Sequence, residues 1–213
     1  MLHLKDKIKN RYEADGHSLG WRFFTSTLAS SKSPNIALIT LNPGGSQDDL
    51  INPSFCRESG SAYFDESWEG KPVGQSALQI QVQRLFKALA ADPRDVLSGH
   101  LVPFRSPSWE QLKGQREQLA FGGELWTEVL ERTSPALVIC IGGEVFRSVK
   151  AIYGFGHESC TPAGWGEVKI RFAERAAARL VGLPHLSRFQ IIGRERSEPG
   201  LSEAFGRFWK PHI

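Results

Sequence analysis

The chain has 213 residues, 40% of them apolar and 23% charged, with a formal net charge of +3. That length bounds it to one large or two small domains with a substantial core, and that composition is ordinary for a soluble globular protein. Excluded are a bilayer span, for which no apolar stretch approaches the ~20 residues needed, and a disulfide framework or C-x-x-C metal knuckle, because Cys56, Cys140 and Cys160 stand far apart.

The first residues, MLHLKDKIKNRYEADG, are charged throughout and hold no apolar signal core, so a cytoplasmic location is expected. Residues 1–35 read as a helical segment, with Leu19, Trp21, Phe23, Phe24 and Leu28 as an imperfect stripe. Ile36 to Leu41 is a short apolar run, read as a buried strand, that stops at Asn42-Pro43-Gly44-Gly45-Ser46. A polar loop with scattered aromatics runs to about Val73. QSALQIQVQRLFKALAAD then places Leu78, Val82, Leu85, Phe86 and Leu89 at helical spacing. DVLSGHLVPF (95–104) reads as a second strand. Ser108 with Gln111 resembles a capping box opening the next helix, which Gly122-Gly123 is expected to break. PALVICIGG (135–143) is the strongest strand signal and enters a helix at EVFRSVKAI; Cys140 within it reads as a small core hydrophobe. EVKIRF and ARLVGLPHL read as further strands, and SEAFGRFWK as a closing helix.

No repeat or Ser/Gly linker interrupts the chain, so 1–213 is expected to be a single domain. Continuous apolar strands alternating with helices imply an α/β fold, a mainly parallel sheet covered on both faces. In such folds ligands sit in the crevice outside the carboxyl ends of the strands. Four segments leave those ends: NPGGS (42–46), HLVPFRSPS (100–108), GGEVF (142–146) and PHLSRF (184–189). Charge is unevenly spread. Residues 46–69 hold six acidic side chains against Arg57 alone, and residues 168–213 hold nine Lys/Arg against four Glu. The basic stretch fits either a phosphate-binding face or a solvated surface.

Together the four segments resemble the uracil-DNA glycosylase superfamily. In that superfamily a first-strand motif of the type G-x-N-P-G or G-x-D-P is paired with a late H-P-S motif. Here the first reads Thr40-Leu41-Asn42-Pro43-Gly44 and the second His185-Leu186-Ser187-Arg188. GKPVGQSALQI (70–80) is similar to the P-F-x-G segment of several branches, and VPFRSPSWEQL to their K-x-R-P-P stretch. The likeness covers roughly residues 36 to 190 in order. It implies a three-layer α/β/α fold with a central, mainly parallel four-stranded sheet. It implies a monofunctional DNA glycosylase of base excision and DNA repair, hydrolysing the N-glycosidic bond of a flipped-out uracil or modified pyrimidine.

Such a reaction generates an oxocarbenium-like sugar and an anionic base, helped by donors to the base and a held water. The resemblance gives His185 as donor to the base O2; PHL alone fits equally a histidine satisfied by turn carbonyls. Asn42 falls where the most active branches carry aspartate. The asparagine-type mismatch-specific and single-strand-selective branches match it, and an amide orients water rather than acting as a base. The carboxylates of Asp48 and Asp49 are read as solvated loop acids. Gly44, Gly45 and Ser46 offer amides to a base edge or phosphate. Val73 replaces the usual stacking aromatic, so Tyr63, Phe64 or Trp68 either takes over the stacking on the base or only anchors the long loop. His100 falls near the base-reading asparagine and would admit a different or larger pyrimidine, unless the register is shifted. Ser187, Arg105 and Arg194 suit DNA phosphates. Arg188 and Phe189 stand at the wedge that fills the emptied stack, with core packing an alternative for Phe189.

The expected partner is DNA, duplex or single-stranded, bound by a monomer with no membrane contact. No metal, cofactor or iron–sulfur cluster is expected, the cluster cysteines being absent. Two alternatives stand beside this reading. One is a glycosylase for hypermodified (hydroxymethylated or glucosylated) cytosine of phage DNA, a defence enzyme. The other is a non-catalytic nucleic-acid-binding protein that keeps the fold.

Overall fold

A computed structural model of the chain describes residues 1–32, 34–45 and 54–210. Its spine is a six-stranded sheet in the order β2-β1-β3-β6-β5-β4. The strands are β1 (Ile36–Thr40), β2 (Val96–His100), β3 (Leu137–Ile141), β4 (Glu158–Pro162), β5 (Lys169–Arg175) and β6 (Ala178–Leu183). Neighbours β2, β1, β3 and β6 run parallel, whereas β5 and β4 pair antiparallel beyond β6. The expected count of four strands therefore matches only the parallel part. EVKIRF is already legible as a strand and becomes β5; the one the sequence hides is β4, because Glu158–Pro162, polar and Pro-ended, gives little apolar signal yet pairs with β5.

Helices α1 (Leu2–Ala14), α2 (Ala62–Asp65), α3 (Ala77–Ala88), α4 (Gln115–Thr133), α5 (Gly143–Ile152) and α6 (Glu198–Phe205) complete the regular structure. Alternation along β1 sorts them. Ala37 and Ile39 join a core with Leu4 and Ile8 of α1, Trp126 of α4 and Phe146 of α5. Ile36 and Leu38 join a second core with Val82 and Phe86 of α3 and Leu201 of α6. Side chains of a strand point alternately to opposite faces, so helices cover the sheet on both sides.

Several local expectations change. Only residues 2–14 of the N-terminal segment are helical. Residues 21–27 are extended along the open edge of β2: Thr25 N donates to Ser98 O at 2.8 Å, and His100 N to Phe23 O at 2.8 Å. An edge strand needs such partners, and buried Phe23 and Phe24 suit an extended backbone. The capping box opens α3 instead: Ser76 Oγ accepts from Gln79 N (3.3 Å), and Gln79 Oε1 from Ser76 N (3.0 Å). Ser108 makes no cap bond; a short 3-10 turn follows it, and left-handed Gly114 (φ +67) separates that turn from α4.

Helix α4 runs unbroken through Gly122-Gly123. The glycines serve close packing, since a Cβ on Gly122 would lie 2.2 Å from Leu101 O. Helix propensity favours alanine over glycine by about 1 kcal/mol, yet that clash is with backbone that cannot swing away. We expect Gly122→Ala to lower stability by about 1–3 kcal/mol, as overpacking does. Thermal unfolding reads the sign, a raised Tm being the result that contradicts the packing account.

Candidate functional site

The carboxyl ends of β1, β2, β3 and β6 open on one cavity of about 860 Å³. Strand order places it across the point where the chain leaves β1 for neighbours on either side, the usual crevice of a parallel sheet. Of the residues read from the sequence, Asn42, Gly44, Gly45, Tyr63, His100, Arg105, His185 and Ser187 line it. Trp68 lines it as well, whereas Phe64 turns away to stack on Phe86 at 6.3 Å in the second core. Phe64 is thereby removed as a base-stacking residue. Arg188, Phe189 and Arg194 lie outside the lining. Ser46, Asp48 and Asp49 fall outside the described residues.

Asn42 is held by the loop after β2. Its Nδ2 donates to Ser106 Oγ (2.9 Å), Pro43 O (3.2 Å) and Phe104 O (3.3 Å). Ser106 gives its own proton to Ser108 O at 2.7 Å, so its oxygen must accept from Asn42. That fixes the amide orientation and leaves Oδ1 as the acceptor end. Arg105, almost fully buried, reaches back through Nε to Gly44 O at 2.9 Å. A Cβ on Gly45 (φ +119) would meet that guanidinium at 2.1 Å, so the glycine is required there.

On the opposite wall, His185 Nδ1 lies 2.8 Å from Ser187 Oγ. Burial lowers the imidazole pKa, only partly countered by the Glu69 carboxylate, so the ring is neutral near pH 7. At the cavity floor His100 Nδ1 sits 2.8 Å from Thr40 Oγ1. Burial, reinforced by the Arg22 guanidinium, pushes the His100 pKa down to about 3. Tyr63 is buried too, its pKa pushed up to about 12 by burial against hydrogen bonds from Thr25 and Thr40. Three titratable rings thus meet the cavity uncharged at neutral pH.

Sequence reasoning missed Arg22, which lay inside the supposed helical segment. Its Nη1 binds Glu66 Oε1 (3.0 Å) and Oε2 (2.7 Å). Arg57 and the Trp68 indole N–H (2.9 Å) bind the same carboxylate. Burial works to raise the Glu66 pKa, but these donors outweigh it and the net shift is downward. Glu66 therefore stays ionised and locks Trp68 against Tyr63, ring centroids 5.4 Å apart. No spacing in the sequence signals that cluster, because its members come from three loops. Ser106 and Trp109 also line the cavity unforeseen.

Within the basic C-terminal stretch Arg171 pairs with Glu158 and Arg179 with Glu174. Among the described residues, no three His, Cys, Asp or Glu converge as a metal site, and Cys56, Cys140 and Cys160 are free thiols. No helix among them is long and apolar enough to cross a membrane. A scan against protein-family models finds no match to the chain, and a search of curated proteins finds none similar to it.

His100 gives a pH signature. The unfolded chain takes up this proton near pH 6.5 and the folded one only near pH 3. Between those values the unfolded state binds more protons, so stability falls as pH drops, by up to about 1.4 kcal/mol per pH unit. His17 and His185, also lowered, act with the same sign. Denaturant unfolding from pH 7 to 4 should give a shallower loss in His100→Asn than in the parent chain; equal slopes would show that His100 titrates freely.

Proposed function

We propose that the chain is a monofunctional DNA glycosylase acting on a flipped-out uracil or modified pyrimidine, with a uracil-DNA glycosylase-like arrangement of its four parallel strands. The observation that carries this reading is that Asn42 and His185, remote in sequence, both line one cavity of about 860 Å³, room enough for a nucleobase with its substituents. The order β2-β1-β3-β6, with Asn42 after β1 and His185 after β6, supports it. The protein acts as a cytoplasmic monomer on DNA in this reading.

The chemistry follows from the two walls. The 2.8 Å contact between Ser187 Oγ and His185 Nδ1 allows either direction; in this reading Ser187 donates, which puts the imidazole proton on Nε2. That N–H then donates to O2 of the pyrimidine as the C1′–N1 bond breaks and its electron pair leaves with the base. A neutral imidazole suits this role, for it stabilises the departing anion through a short hydrogen bond without holding a charge in the unliganded cavity. Asn42 Oδ1 accepts from a water beneath C1′. The water oxygen bonds to C1′, its proton passes to solvent or the anionic base, and the products are a free base and an abasic sugar. Trp68, held by Glu66, supplies the stacking face. Among the described residues no lysine lines the cavity; the reaction proposed is hydrolysis without strand cleavage.

Volume favours a substituted base. About 860 Å³ is in the range that encloses drug-sized ligands, and a bare pyrimidine would leave much of it filled with water. A hypermodified cytosine of phage DNA is therefore the second reading of the same chemistry. Retention of the fold for binding alone is the third, and the missing carboxylate at position 42 is the feature that favours it.

Oligonucleotides carrying uracil, mismatched thymine, hydroxymethylcytosine or its glucosylated form, single-stranded and duplex, decide among these. Alkali-labile abasic sites should form with at least one, and Asn42→Ala and His185→Ala should each slow their formation on the order of 10²–10³-fold without loss of the folding transition. Tight binding with no base released from any substrate would leave the binding protein as the surviving reading.

A further inference from the structure

Beside the His185 wall the chain builds an aromatic surface that the cavity does not use. Trp165 stands at the tip of the β4–β5 hairpin and, 36% exposed, is the one aromatic among the exposed large apolar side chains of the described residues. The tip is tight: Ala163 N donates to Val168 O (2.9 Å) and Val168 N to Trp165 O (3.1 Å). Gly164 (φ +70) and Gly166 (φ +53), both left-handed, flank the tryptophan. A Cβ on Gly164 would come within 2.1 Å of Arg196 O, so the tip is seated directly on the 194–197 backbone.

The indole is held, not loose. The Arg194 guanidinium lies 4.4 Å from its centroid, and Phe189 meets it edge-on at 6.1 Å. Arg188 lies 5.3 Å from the Phe189 ring. Both Arg188 N (3.0 Å) and Phe189 N (2.9 Å) donate to His185 O, so the cluster begins within one turn of the cavity wall. Among the described residues Arg188, Arg194 and Arg196 make no ion pair, although Glu167 and Glu195 are exposed on the same two segments. An exposed aromatic fixed by its neighbours and interleaved with arginines has the chemistry of a single-strand nucleic-acid surface: π-faces for bases, guanidinium groups for phosphates.

We propose that Trp165, Phe189, Arg188 and Arg194 form a platform that holds single-stranded DNA beside the cavity mouth, an unpaired base stacking on the indole and neighbouring phosphates meeting the arginines. The choice of DNA rests on the glycosylase reading of the cavity; the assignment of the hairpin goes beyond it. Pre-fixing the indole lowers the ordering cost of binding, so the platform adds affinity without any contact to the reacting nucleotide.

The test is fluorescence anisotropy of a labelled thymidine oligonucleotide with the full chain, over a range of salt concentrations, with base release assayed on the same preparations. Trp165→Ala should bind about tenfold more weakly, Trp165→Phe should recover most of that loss, and Arg188→Ala should reduce the salt slope by about one. Thermal unfolding checks that each variant folds. Affinity of Trp165→Ala within about twofold of the parent chain, or no oligonucleotide binding by the parent, overturns the platform. Base release with Trp165-independent binding overturns the platform alone. Trp165-dependent binding with no base released from any substrate sustains the platform and overturns the glycosylase reading.

Discussion

Pairing between β1 and β2 does not stop where the strands stop, and the site depends on that continuation. Leu101 N donates to Thr40 O (2.7 Å), Val102 N to Leu41 O (2.8 Å) and Ser106 N to Pro43 O (3.2 Å). The two loops leave the sheet as one hydrogen-bonded ribbon, and the Asn42 side chain adds further rungs through Phe104 O and Ser106 Oγ. A glycine-rich exit would otherwise pay the full entropic cost of ordering. Tied to its neighbour, it presents Asn42 at a fixed depth. Gly142 N to Leu183 O (2.9 Å) performs the same service between the ends of β3 and β6, so both walls of the cavity are extensions of the sheet.

Electrostatics follow from where those walls close. His100, Tyr63 and Thr40 are packed together at the cavity floor, and burial penalises charge on each ring. Beside them Arg22, Arg57 and Trp68 gather around the Glu66 carboxylate. Removing one partner from such a cluster strands the others, so it fixes geometry more than it adds stability. Trp68 is the side chain whose position this decides.

β1 and β3 were legible as nearly unbroken apolar runs, and β2 and β6 by the short apolar stretches within them; the segments that leave them were legible as site candidates because the ends of parallel strands gather on one side. Residues 15–35 were not. Trp21 to Phe24 have an apolar stripe that fits a helix imperfectly, and what selects the extended form is the unsatisfied edge of β2 and the chain after it, partners 75 and 83 positions away by the Phe24–Gly99 and Trp21–Phe104 bridges. Gly122-Gly123 misled for a similar reason: local propensity marks a break, while the close approach of Leu101 marks a contact. Arg22 and Glu66 were invisible as site residues because ion-pair partners on separate loops leave no periodic trace. Tyr63 and Phe64, adjacent in sequence, both pack on Phe86, and of the two only Tyr63 also lines the cavity, a difference that no periodicity announces.

The two departures from a plain parallel sheet stand on its opposite sides, and both reach the end where the cavity opens. Residues 21–27 cover the β2 side and deliver Arg22 to the cavity; the β4–β5 hairpin extends the β6 side and delivers Trp165 beside His185. Both are additions to strands that would otherwise end the sheet, and covering an edge requires nothing of their side chains beyond fit. That freedom is what allows each to carry a polar or aromatic residue to the rim. The parallel core holds Asn42 and His185 in place, while peripheral segments determine what surrounds the cavity, so on the glycosylase reading proposed above variation of substrate falls on Arg22, Trp68 and Trp165 before it touches the residues at the strand ends.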